Sequence, residues 1–80
     1  MKEFEEDLRG LMNYWDVTYR EVRYIRKYWE RGNLSDGEAL DELIEKIDEP
    51  LFLGLVRTPR YLEVTDREIV GIFLKIIEGK

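Results

Sequence analysis

Three times along the chain the same short pattern recurs: a Ser or Thr, a Glu three residues on, and an apolar residue on each outer side. The pairs are Thr18 with Glu21, Ser35 with Glu38 and Thr65 with Glu68, flanked by Val17 and Val22, Leu34 and Ala39, and Val64 and Ile69. Each is the signature of a capping box with a hydrophobic staple. Hydroxyl and carboxylate satisfy N–H groups left without partners at a helix start, and the apolar pair sets the angle at which the chain enters. An apolar pattern of period 3.6 follows each box, so helices are predicted to start after residues 18, 35 and 65.

After Thr18 the stripe is Val22, Ile25 and Trp29, with Gly32 placed to end the helix in the left-handed conformation. After Ser35 it is Leu40, Leu43, Ile44 and Ile47, stopped by Pro50. After Thr65 it is Ile69, Val70, Ile72, Phe73, Ile76 and Ile77, ending at Gly79. Upstream, Phe4, Leu8, Leu11 and Trp15 mark a first helix over roughly residues 3–15. The same register continues through Thr18, Val22, Ile25 and Trp29, which leaves one helix over 3–31 open. Asn13, Asp16, Val17 and Thr18 are poor helix formers and favour a break near Asp16.

Between Pro50 and Thr65 the pattern changes. Leu51-Phe52-Leu53-Gly54-Leu55-Val56 and Tyr61-Leu62-Glu63-Val64 are two short runs around Arg57-Thr58-Pro59-Arg60, which read as a β-hairpin. The expected fold is mainly α in a single domain over 1–80: three helices, a small hairpin and a C-terminal helix. The alternative is an all-α four-helix domain with an irregular connector. Gly54-Leu55-Val56-Arg57 followed by Arg60-Tyr61-Leu62-Glu63-Val64-Thr65-Asp66 resembles the wing of winged helix-turn-helix proteins, a likeness covering residues 51–78. Gly32-Asn33-Leu34 would be the turn between the second and third helices. The resemblance implies a nucleic-acid-binding or regulatory fold whose last helix often makes a dimer contact. The chain departs from it at Glu68, where many relatives have Gly.

Composition limits the chemistry. With no Cys and no His in 80 residues, the chain has no thiolate or imidazole nucleophile system and no Cys- or His-ligated metal centre. Its glycines stand singly, so no phosphate-cradling loop exists, and its one Ser, Ser35, is committed to a cap. A chain this short buries only roughly 60% of its unfolded surface, leaving little room for a substrate pocket. The expectation is a non-enzymatic domain without cofactors. No apolar run reaches the length of a signal peptide or membrane span, which points to a cytoplasmic protein. Gln is absent while Glu, Arg, Leu and Ile are abundant, a profile expected of a thermophilic source.

The net charge of −5 conceals a division. Residues 17–32 hold five basic and two acidic groups, whereas residues 36–49 hold seven acidic groups against Lys46. On a helical wheel Arg20, Arg23, Lys27 and Arg31 lie on the side opposite Val22, Ile25 and Trp29, with Tyr24 at their border. Arg57, Arg60 and Arg67 add cations around the proposed wing. Such a stripe is read either as a solvated face, as the partner of the acidic helix, or as a binding surface. The i, i+4 carboxylate pairs Glu38/Glu42, Asp41/Glu45 and Glu45/Glu49 read as a solvated face, since no calcium-type loop accompanies them. Acid on the third helix argues against DNA, because groove-reading helices lie between phosphate backbones.

The expected function is therefore a protein-interaction module, winged-helix-like, of regulatory or adaptor type. The alternative is a nucleic-acid-binding regulator docking through the basic helix 18–31 and the wing 57–61. Candidate binding residues are Arg20, Arg23, Tyr24, Lys27, Arg31, Arg57 and Arg60. The wide apolar face of the last helix suggests a homodimer through Ile69, Ile72, Phe73 and Ile76. Trp15, Trp29, Tyr14, Tyr19 and Tyr28 are assigned mostly to the core.

Overall fold

The structure, a computed structural model, describes residues 2–79. Its helices are α1 (Lys2–Met12), α2 (Tyr19–Glu30), α3 (Asp36–Ile47), α4 (Pro50–Val56) and α5 (Asp66–Glu78), with a 3-10 turn at Pro59–Tyr61.

Two of the three capping boxes close. The Glu38 N–H donates to Ser35 Oγ at 3.1 Å while the Ser35 N–H donates to the Glu38 carboxylate at 2.9 Å, opening α3. Thr65 and Glu68 repeat this at the start of α5 with 3.2 and 3.1 Å. Thr18 starts α2 in extended backbone, but its hydroxyl caps no N–H and instead donates to the Glu21 carboxylate at 3.5 Å. The backbone N–H groups of Ser35 and Thr65, then their hydroxyls, hold the Glu38 and Glu68 carboxyls below the usual carboxylate range. A lowered folded-state pKa contributes stability above the unfolded value and loses it as pH falls through the folded one, so both boxes weaken on acidification. Ser35→Ala and Thr65→Ala are each expected to cost about 1 kcal/mol in urea denaturation. Thr18→Ala should cost at most a few tenths. Equal losses at all three would contradict the two-box description.

Helix ends follow local chemistry. α1 stops before Asn13 and α2 begins at Tyr19, so the segment 3–31 is two helices. α2 closes in a Schellman motif: the Asn33 N–H reaches the Tyr28 carbonyl at 2.8 Å and the Gly32 N–H the Trp29 carbonyl at 3.1 Å. Gly32 has φ +80°, a conformation that a side chain would strain. α3 ends on Asp48, also left-handed at φ +48°.

No strand occurs among the described residues, so the wing-like hairpin is corrected to helix and turn. Pro50 occupies the first turn of α4, where its missing N–H goes unused and its fixed φ suits a helix. Phe52 is wholly buried and Leu55 and Val56 half-buried, an i, i+3, i+4 pattern, while Leu51 is 60% exposed. Alternation would have put Phe52, Gly54 and Val56 on one face, and Gly54 offers that face nothing to bury. Pro59 likewise opens the 3-10 turn instead of sitting at a hairpin tip. The all-α alternative fits, with α4 in place of its irregular connector.

α5 lies at the centre, packed against α1, α2 and α3, while α2 also packs on α3 and α1 on α4. Phe52 sits between Trp15 and Phe73, ring centroids 5.8 and 5.4 Å away, and Phe4 meets Tyr61 edge-on at 5.2 Å. Among the described residues no charged side chain is buried. Ile69, Phe73 and Ile76, three of the residues assigned to a dimer contact, are buried in the chain's own core, and Ile72 is half-buried. The wide apolar face of α5 is thus covered by three neighbouring helices. Gly71 faces Trp29 of α2, whose ring would lie 3.9 Å from an added Cβ.

Candidate functional site

Burying Val22 and Ile25, with Trp29 half-buried, turns the opposite side of α2 outward. Arg20, Arg23, Lys27 and Arg31 are all exposed, and none makes an ion pair or side-chain hydrogen bond among the described residues. The remaining cation of α2 is employed differently. Arg26 donates to Glu30 at 2.9 Å and pairs with Glu78, fastening α2 to the end of α5. The Glu78 carboxylate first, then Glu30, raises the pKa of this guanidinium.

α3 shows the reverse sign. Ala39, Leu40, Leu43 and Ile47 face the core, and Asp41 and Glu45 are exposed with no ion pair or hydrogen bond among the described residues. Glu42 is half-buried and accepts a long hydrogen bond, 3.4 Å, from the Tyr24 hydroxyl. Burial, then the Glu42 charge, raises the Tyr24 phenol pKa. Tyr24, Glu42, Glu45 and Lys46 line a shallow groove where the two helices meet. Tyr28 is one helical turn beyond Tyr24, and both keep exposed surface, 45% and 38% respectively. The two tyrosines therefore border the basic face on the side of the acidic one. No ion pair joins these faces among the described residues, so the acidic helix does not neutralise the stripe.

The other arginines lie elsewhere. Arg60 pairs with Glu3 at 2.7 Å and covers the Tyr61 ring at 5.4 Å, and the Glu3 carboxylate raises its pKa. The Tyr61 hydroxyl in turn donates to Asp7, which raises the phenol pKa. The groove beside Arg60 includes Asp7, Leu11, Leu51 and Leu55 and shares no residue with the groove along α2. Arg57 is exposed at the end of α4. The seven candidate binding residues thus divide into four on α2 with Arg31 at its C-cap, and two on the α4 side of the molecule.

Sequence reasoning missed two connections. The Trp29 indole N–H donates to Asp36 at 2.8 Å, locking α2 to the first turn of α3. Its signal in the sequence is an acidic residue directly after the Ser35 cap, seven positions from Trp29 of the α2 apolar stripe. Of the five aromatics assigned mostly to the core, Trp15 is buried, Tyr19 and Trp29 are half-buried against the core, and Tyr14 and Tyr28 are exposed. No group of three or more acidic residues is placed to hold a metal ion among the described residues. No described helix is long and apolar enough to cross a membrane. Comparison of the chain with protein-family models, curated proteins and solved structures found no match.

Proposed function

We propose that this chain is a protein-interaction domain whose contact surface is formed by the adjoining outward faces of α2 and α3. The observation that carries the reading is charge left unspent: Arg20, Arg23, Lys27 and Arg31 on one side, Asp41 and Glu45 on the other, with no ion pair between them among the described residues. Solvated charges of one sign repel, and a partner of complementary pattern relieves that repulsion on both helices at once. A nucleic acid relieves it on α2 alone. A duplex carries one charge per ~1.7 Å of axis, and a strand lying along α2 would bring phosphates beside the carboxylates of α3.

The test uses fluorescein-labelled hexaglutamate and hexalysine, with the protein titrated into each and binding followed by anisotropy. Both peptides are expected to bind. Arg23→Glu/Lys27→Glu should abolish the hexaglutamate signal, and Asp41→Lys/Glu45→Lys the hexalysine signal. Absence of binding by either peptide, at a protein concentration where light scattering shows a monomer, overturns the reading. So does tighter binding of a labelled DNA duplex with the steep salt dependence of phosphate contacts.

A further inference from the structure

We infer that the partner this surface accepts is a second copy of the chain, docked with α2 of each copy over α3 of the other. The inference rests on the interaction-domain reading and names its occupant. A basic helix face beside an acidic one is its own electrostatic complement. A two-fold axis along the seam between α2 and α3 carries Arg20, Arg23, Lys27 and Arg31 of one copy onto the acidic face of the other, and the reverse contact follows by symmetry. Both signs are satisfied in one isologous contact, which closes at two copies. A foreign partner must reproduce both signs at the spacing of this seam; a second copy has them already.

Two further observations agree with this docking. Tyr24 and Tyr28 border the seam, placing partly exposed aromatics, a residue type enriched at interfaces, near the axis. Like net charges of −5 do not prevent it. The shortest dimension of the molecule is 21 Å, more than twice the Debye length of about 8 Å at physiological salt, so whole-molecule repulsion is screened while facing side chains still attract. The contact is distinct from one through α5, whose Ile69, Phe73 and Ile76 are already buried within the chain.

Light scattering on the full chain at tens to hundreds of micromolar at physiological salt reads the outcome directly. Wild type is expected at twice the monomer mass, dissociating as salt rises to about 0.5 M, where the Debye length falls to a few ångströms. Arg23→Glu/Lys27→Glu leaves both helices acidic, and Asp41→Lys/Glu45→Lys leaves α3 with three acidic and three basic groups, so that it no longer complements a basic α2; each variant alone should associate at least about tenfold more weakly. Mixed in equal amounts they should recover the dimer, because each supplies the sign that the other lacks. All four substituted side chains are exposed, and an unchanged helical circular dichroism spectrum verifies that the variants fold. A wild type that stays monomeric, variants that dimerise alone, or a mixture that fails to recover association each overturns the proposal. A monomeric wild type that still binds both labelled peptides removes the second copy as occupant and leaves the interaction surface standing; one that binds neither peptide removes both.

Discussion

Replacing Phe52 with Ala should cost about 3–5 kcal/mol and leave much of the protein unfolded at room temperature. The side chain is wholly buried, with Trp15 on one side and Phe73 on the other, so its loss opens a cavity where α4 meets the α1 side of the core and α5. Domains are stabilised by roughly 0.05–0.15 kcal/mol per residue, so the expected loss is a large part of the total for a chain of this length. Leu51→Ala, one residue earlier, should change stability by no more than about 0.5 kcal/mol, since that side chain is 60% exposed. Urea denaturation of the pair tests the register of α4. Comparable losses at the two positions would mean that this helix does not face the core as described.

Trp29→Ala should cost about 3 kcal/mol, at the low end for a large aromatic because the ring is half-buried. Two attachments are lost together: the contact of the ring with α5 at Gly71 and the hydrogen bond to Asp36 at the start of α3. Trp29→Phe separates them. It keeps a ring against α5 but removes the N–H, and should cost about 1.5–3 kcal/mol if the Asp36 bond counts as a charged one. A neutral Trp29→Phe in urea denaturation would show that the 2.8 Å contact contributes nothing to stability. Intrinsic fluorescence follows the same variants conveniently, because Trp15 is then the remaining indole.

Most of the helices were legible because their starts are written locally. Ser35 with Glu38 and Thr65 with Glu68 satisfy backbone groups within four residues of chain, so no tertiary information is needed to recognise them. The break between α1 and α2 was legible for the same reason, in Asn13, Asp16 and Thr18. Residues 51–64 were not, because a short apolar run is consistent with either a strand or a buried helix until its neighbours are known. Phe52 decides the matter by fitting between two aromatics contributed by residues 15 and 73, far apart in sequence. The outward basic face of α2 could be read from periodicity alone. That Arg26 is diverted to Glu78 could not, since this pairing depends on where the end of α5 arrives. The width of the apolar face on α5 was visible in the sequence too, but whether other helices or another molecule covers it is settled by packing, which a helical wheel does not contain.

The sorting of charge on α2 and α3 also governs how the molecule meets a flat, uniformly charged material. An adsorbent feels the side turned toward it far more than a total summed over the whole molecule. At neutral pH this chain, though an anion in total, should be retarded by a sulfonate resin through Arg20, Arg23, Lys27 and Arg31, and by a quaternary-amine resin through Asp41, Glu45 and their neighbours. The two resins would hold it in different orientations, so immobilisation chemistry chooses which helix is left open to solution.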